Sequence, residues 1–290
     1  MTIGILGGSG LYDLDALTDR EWRPVTTPWG EPSDDLLFGT LEGHSVVFLP
    51  RHGREHRLLP HEINYRANIA ALKIAGCTDV LSVAACGSFR EELPPGSFVL
   101  IDQVVDRTRT RQRTFFGDGI AAHVALANPI CERLRAALSQ AATTASVEII
   151  DGGTYLAMEG PQFSTRAESR LYRAGGLDVI GMTAMPEAAL AREAELCYAS
   201  VAMVTDWDSW RDDEAGIETR DILAVMNANV GGARELVAAF IADNEPRTAC
   251  PHGCDRALDH AIITPRELWP EMAATNLRAI AARVIAPEVT

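Results

Sequence analysis

The sequence predicts an α/β fold, a β-sheet with helices packed on its faces. Two observations carry that expectation. Short β-rich runs alternate with helical patterns over about the first 240 residues, and 47% of the 290 residues are hydrophobic against 23% charged, enough for a sizeable core. No internal repeat or low-complexity tract interrupts the alternation.

The elements follow in order. Apolar runs bounded by turn residues predict strands at Thr2–Leu6, Leu36–Gly39, Ser45–Leu49, Val80–Val83, Phe98–Ile101, Val147–Ile150, Val179–Ile180 and Cys197–Val204. Helical spacing predicts helices at His61–Ala75, Pro129–Ala142, Arg166–Ala174, Pro186–Glu195 and Thr219–Ala242. In the last of these, Ile222, Met226, Val230, Leu236 and Phe240 share one face, and the Gly231-Gly232 pair predicts a kink. Thr165 and Glu168 stand at capping-box distance at the start of the third helix. After Asp243 a turn-rich stretch, NEPRTACPHGCDRAL, sets a domain of residues 1–243 apart from a C-terminal extension of residues 244–290. That extension ends in an amphipathic helix with Met272, Leu277, Ile280 and Val284 on its docking face.

Charge excludes some classes of partner. A net charge of -14 argues against nucleic acid and against an anionic membrane surface, both of which need clustered Lys and Arg. The N-terminus lacks the basic and apolar regions of a signal peptide, and no run approaches the ~18 apolar residues of a membrane span, so the cytoplasm is the expected compartment. Of six cysteines, Cys77, Cys86, Cys131 and Cys197 read as small buried hydrophobes. Cys250 and Cys254, in ACPHGCD, read as a structural thiol pair, a reversible disulfide, a metal clip with His252 and His260, or two free thiols.

Several stretches could carry chemistry. GILGGSGL, Gly4 to Leu11, runs from a strand into a glycine-rich turn, read either as a phosphate cradle or as a plain tight turn. It is not a dinucleotide fingerprint, since Asp13 stands where the third glycine would be. Arg51, His52, Arg54, His56, Arg57 and His61 form a basic cluster after a strand, an anion site or a solvated loop, without an obvious carboxylate or cysteine partner for a metal. AACGSFREE permits close backbone approach through small residues. AMEGPQFSTRAES offers Glu159 for sugar hydroxyls and Phe163 to cover a planar base, each read alternatively as structural. Thr183, ahead of a proline-started helix, suits an anion contact, and Met182 beside it reads as core. In MVTDWDSW, strand alternation would put Asp206 and Asp208 on one side, as a base-reading pair or as a turn start.

In this order, GILGGSGL, TPWGEPSD, RHGREH, ACGSFREE, EGPQFSTRAES, GMTAMPE and TDWD resemble the 5'-methylthioadenosine phosphorylases of the trimeric purine nucleoside phosphorylase superfamily, from Ile3 to about Ile241. The resemblance implies a single-domain mixed twisted β-sheet surrounded by helices, of nucleoside phosphorylase type. It implies a phosphate site at Ser9, Arg51, His52, the Ala85 amide and Thr183, with Met182 under the ribose and Phe163 on the purine. Asp206 would donate to purine N7 and Asp208 accept from the 6-amino group, supported by Thr205. His123 would reach the 5' pocket of a neighbouring subunit in a homotrimer, or in a hexamer of paired trimers, with Thr219 and Ile222 lining that pocket. Inorganic phosphate is the implied co-substrate, with no metal or organic cofactor. Adenosine and 6-oxopurine nucleosides are alternative substrates, and an idle nucleoside-binding protein is the non-enzymatic alternative. The chain departs from the family at Ala84, where a hydroxyl or amide side chain is common, at Gln162 in place of a frequent arginine, and at the polar Thr219.

Overall fold

Why the strongest strands form is plain from burial. In the computed structural model, which describes residues 2–8, 10–12, 14–212, 219–244 and 249–285, strands β1 (Thr2–Gly7), β4 (His44–Pro50), β5 (Cys77–Ser88) and β11 (Cys197–Asp206) are covered on both faces and carry nearly continuous apolar sequence. These four run parallel, with β1 between β4 and β5 and with β11 on the other side of β5. All four therefore end at the same edge of the sheet, and the motifs GILGGSGL, RHGREH, ACGSFREE and TDWD lie at those ends.

The remaining strands complete a mixed sheet: β2 (Thr18–Arg23), β3 (Leu36–Leu41), β6 (Phe98–Leu100), β7 (Gln103–Asp106), β8 (Ile149–Asp151), β9 (Thr154–Ala157) and β10 (Val179–Gly181). The main path runs β2-β3-β4-β1-β5-β10-β9-β7, while β11 leaves β5 to pair with β6. The sheet divides at Gly87 of β5, which opposes both Ile180 of the antiparallel β10 and Asp206 of the parallel β11. Ligands of open α/β sheets bind where strands part at their carboxyl ends.

Helices α1 (Tyr65–Ile74), α2 (Glu132–Thr144), α3 (Arg166–Ala174), α4 (Ala184–Glu193), α5 (Thr219–Asp243) and α6 (Glu271–Ile285) cover the sheet. The first starts at Tyr65 rather than His61 because the Asn64 side chain accepts from the Ala67 N–H and caps it there. Thr165 and Glu168 form the predicted capping box of α3. The predicted kink in α5 does not form: one 25-residue helix runs through Gly231 and Gly232. Gly232 instead faces Phe98, whose ring would lie 3.4 Å from an added Cβ.

Strands β2, β7 and β9 were not predicted. The first is the edge segment TDREWR, mostly exposed, and β7 and β9 are four residues each, too short for period-2 alternation to register. The predicted C-terminal helix forms as α6 and buries Leu277 and Ile280, but Met272 is 79% exposed and does not dock. Among the described residues no helix is long and apolar enough to cross a membrane.

Candidate active site

The base-reading pair is built by a strand that stops, not by one that continues. A register shift between Val204 and Asp206 ends the regular pairing of β11 with β5, and Asp208 lies at a φ of 51° in the turn beyond. Asp206 and Asp208 are thus joined by a turn in which the Asp208 N–H donates to Asp206 Oδ1 at 2.8 Å, in place of the expected alternation along a strand. The Thr205 hydroxyl lies 2.8 Å from Asp206 Oδ2 and 3.1 Å from the Cys86 carbonyl. A Cβ at Gly87 would stand 2.8 Å from Asp206 Oδ1, so the close approach of β5 to this carboxylate requires glycine.

Asp208 is 5% exposed, and burial raises its carboxyl above the ordinary range, against the opposing effect of nearby Ser169. Its Oδ2 is buried without a hydrogen-bond partner. Trp207 and Trp210 meet edge to face at 6.0 Å, and the Trp210 indole N–H donates to the Ser88 carbonyl at 2.8 Å, which pins the loop after Asp208 to the end of β5.

On the other side of the parting, β10 runs antiparallel to β5 and so carries Gly181 and Met182 back toward Ala85. Thr183 follows just ahead of α4, whose regular turns begin at Pro186 after the extended Met185, and its Oγ1 is buried and without a hydrogen-bond partner. An unused buried hydroxyl on a turn ahead of a helix start suits an anion. Gly160, at a φ of 68°, approaches Met182 so closely that a Cβ there would meet the sulfur at 2.5 Å. Phe163, three residues on, is 41% exposed.

The basic cluster is resolved into separate tasks. Arg51 is 2% exposed and turned inward, correcting the expectation of a loop-facing anion ligand. Its Nε pairs with Glu187 Oε1 at 2.5 Å and its Nη2 reaches Ser82 Oγ at 2.7 Å, while the Val83 and Leu6 carbonyls accept from Nη1 and Nη2. Glu187 also accepts from the Tyr198 hydroxyl at 3.0 Å. Arg54 pairs with Asp34, and Arg57 donates to the Ser33 carbonyl. His52 stays near the strand end: its ring stacks on His56 at 4.4 Å, and its Nδ1 lies 2.8 Å from the Leu58 carbonyl. Burial, with the charge of Arg51 adding to it, lowers His52 to about 4. A neutral ring that donates from Nδ1 presents Nε2 as an acceptor.

One other expectation is moved. Glu159 does not face free sugar hydroxyls: it accepts from the Arg109 and Thr110 amides and from the Thr110 hydroxyl at 2.9 Å. His123 is exposed on the loop before α2, its N–H donating to the Ala261 carbonyl at 2.9 Å. Ile222 lies half-buried on the first turn of α5. Ser9 and the side chain of Thr219 lie outside the described residues. Gly10, beside Ser9, packs on Val230 of α5 and accepts from Arg234 at 2.7 Å, which brings the glycine turn to that helix.

Arg111 is a residue that sequence reasoning missed. Its buried guanidinium donates to the Met182, Met185, Met158 and Glu159 carbonyls and to the Tyr65 hydroxyl, tying the Phe163 loop to the Thr183 turn. Its place in a run of arginines, DRTRTRQR, disguised it as a solvated charge. A separate groove of about 1350 Å³, lined by Phe89, Arg90, Arg170, Arg173 and Trp207 among others, contains none of the predicted phosphate residues.

Comparison with known proteins decides the family. The model of the phosphorylase superfamily matches residues 2–242. The S-methyl-5'-thioadenosine phosphorylase of Cereibacter sphaeroides is 55% identical over 285 residues, which cover 98% of each chain. The chain belongs to the S-methyl-5'-thioadenosine phosphorylases. Among solved structures, a methylthioadenosine phosphorylase sourced from an antarctic soil metagenomic library superposes with a TM-score of 0.89 at 43% identity, covering 96% of this chain and 98% of that one. The Schistosoma mansoni methylthioadenosine phosphorylase in complex with adenine gives 0.80 at 40% identity, over 83% and 91% of the two chains. The mixed sheet with its six described helices is accordingly the nucleoside phosphorylase fold of these S-methyl-5'-thioadenosine phosphorylases.

Proposed function

We propose that the chain catalyses phosphorolysis of S-methyl-5'-thioadenosine, yielding adenine and 5-methylthioribose 1-phosphate. The observation that carries this reading is the pair of buried polar atoms without hydrogen-bond partners on either side of the sheet's parting, Asp208 Oδ2 and Thr183 Oγ1. One accepts and suits an amino group; the other can donate to an anion. Membership of the S-methyl-5'-thioadenosine phosphorylases supplies the reaction class.

As the C1'–N9 bond breaks, the ribose gains positive charge and the purine gains the bonding electron pair. Phosphate oxygen attacks C1' and stabilises the first; a proton from Asp206 to N7 relieves the second. Thr205 supports Asp206, because a hydroxyl that donates to the Cys86 carbonyl can accept from the protonated carboxyl. Asp208 accepts from the 6-amino group. His52 Nε2 accepts from a protonated phosphate oxygen, while Thr183, the Ala85 amide and Ser9 donate to the others. Arg51, its charge paired with Glu187, holds rigid the strand end that carries His52. Met182 lies under the ribose and Phe163 covers the purine.

The assembly in this reading is a homotrimer, alone or paired into a hexamer, in which the exposed His123 reaches the 5' pocket next to Ile222 and Thr219 of its neighbour. Residues 1–243 form the catalytic domain and residues 244–290 an extension docked on it, and the protein works in the cytoplasm. The test is adenine release from methylthioadenosine with and without phosphate. Release that requires phosphate and forms a sugar 1-phosphate is expected; phosphate-independent release would make the protein a hydrolase. Faster turnover of inosine than of any adenine nucleoside would remove the role given to Asp208.

A further inference from the structure

The cysteines outside this chemistry converge. Cys131, Cys197, Cys250 and Cys254 bring four sulfur atoms within 4.8 Å of one another, all buried, with Cys131 Sγ and Cys250 Sγ 3.8 Å apart. They come from three distant parts of the chain: the N-cap of α2, the first residue of β11 and the C-terminal CPHGC turn. Cys131 and Cys197 are thus not isolated hydrophobes, and of the readings of CPHGC the clip with His252 and His260 is corrected, since both histidines are exposed.

From this juxtaposition we infer that the four cysteines form a structural zinc site that clips the C-terminal extension to the catalytic domain. Four thiolates at Zn–S bonds of about 2.3 Å form a tetrahedron whose edges are about 3.8 Å, the Cys131–Cys250 separation. A disulfide would bring one pair to ~2.0 Å and gives no reason for the other two sulfurs to gather around it. None of the four is in a disulfide. A tetrahedral all-sulfur donor set selects zinc among common divalent ions.

The backbone is arranged for the site. Three residues lie between Cys250 and Cys254, within the spacing of structural zinc knuckles. Their turn is closed by a hydrogen bond from the Gly253 N–H to the Cys250 carbonyl at 3.0 Å, with Gly253 at a φ of 70°, where a Cβ would be strained. Asp255 accepts from the Cys250 N–H at 2.8 Å and orients the first sulfur. The Cys131 N–H donates to the Tyr198 carbonyl at 2.8 Å, locking the α2 terminus to β11 beside Cys197.

Charge is matched as well. Zinc replaces four thiol protons, so Zn²⁺ and four thiolates leave a net charge of two minus. The positive end of α2 lies at Cys131, and on the first turn of that helix Arg133 pairs with the buried Asp79 at 2.6 Å. The four ligands are closed off from solvent, as in a structural rather than a catalytic zinc site. The clip fixes the segment whose Ala261 carbonyl accepts from His123 and whose Ile263 N–H donates to Ala121.

The test uses the full-length protein purified under reducing conditions from zinc-supplemented medium. Elemental analysis is expected to find about one zinc per chain, released as a mercurial titrates four thiols. Exchange into Co²⁺ should produce the intense visible bands and thiolate charge-transfer absorption of tetrahedral tetrathiolate cobalt. The Cys250→Ser/Cys254→Ser variant should lose the metal and melt at lower temperature, and because the wild-type cobalt spectrum needs no variant, misfolding of that double substitution leaves the test intact. Zinc far below one per chain together with no cobalt spectrum would overturn the site, as would intact-mass evidence that the four sulfurs are two disulfides in the reduced preparation. Metal content is read independently of adenine release, so failure of this inference and failure of the proposed reaction are separately visible.

Discussion

The Asp208 N–H donates to Asp206 Oδ1 at 2.8 Å, so the residue proposed to read the 6-amino group also holds the proposed proton donor in place. An amide at position 206 can keep that hydrogen bond through its carbonyl and can donate to Thr205 through its NH₂.

Asp206→Asn is therefore expected to fold as the parent does while losing the transferable proton. Turnover of methylthioadenosine should fall by roughly 10²- to 10⁴-fold, the usual worth of a positioned general acid. Steady-state phosphorolysis alongside a thermal melt checks this. An unchanged kcat with an unchanged melt would remove Asp206 from the chemistry.

Asp208→Asn separates recognition from chemistry. The substituted amide can donate to a 6-oxo group, so the ratio of kcat/KM for adenine to hypoxanthine nucleosides should fall by about 10- to 100-fold, the scale of one exchanged hydrogen bond at a buried site. A pH effect goes with it. Burial raises the Asp208 carboxyl, opposed by Ser169, so the ionised acceptor is lost on acidification earlier than for an exposed aspartate. KM for adenine nucleosides should rise on the acidic side in the parent and stay flatter in the variant; identical profiles would argue that Asp208 does not face the base.

Thr183→Val tests the anion end. The Thr183 hydroxyl is buried and has no hydrogen-bond partner, so deleting it in the phosphate-free protein should leave the melting temperature unchanged or slightly higher. KM for phosphate should rise about tenfold, equivalent to ~1.4 kcal/mol, with a smaller change in KM for the nucleoside. A lower melt with unaltered phosphate dependence would make the hydroxyl structural.

What the sequence disclosed and what it hid have physical causes. β1, β4 and β11 are buried on both faces, so their apolar runs announced them, and the motifs at their ends were legible for the same reason. The polar edge strand β2 carried no such signal. The inward turn of Arg51 was hidden because its partner Glu187 lies 136 positions away, inside what read as an ordinary helix start. The register shift before Asp206 breaks the period-2 rule that local reasoning must assume. Cys131 and Cys250, 119 positions apart, illustrate the same limit: only the Cys250–Cys254 half of the cluster has a spacing to read, and tertiary structure supplies the rest.

Glu193 offers a stability measurement that does not depend on substrate. It lies near the end of α4, accepts from the Thr114 hydroxyl at 2.8 Å and the Phe115 N–H at 2.7 Å, and burial nonetheless raises it to about 7. In the unfolded chain a glutamate titrates near 4.3, so between roughly pH 4.5 and 7 the native state holds a proton that the unfolded state has lost. Stability from this group is then fully present below the unfolded value and falls as pH rises through the folded one. The loss across that window is on the order of 3 kcal/mol at 1.36 kcal/mol per pH unit. Glu193→Gln keeps an acceptor for the Phe115 N–H and has no charge to bury. Urea unfolding at pH 5 and pH 8 should show the parent losing stability between the two and the variant losing less by about that amount. Equal losses in both proteins would mean that the buried carboxyl is not what the alkaline side of the stability curve reports.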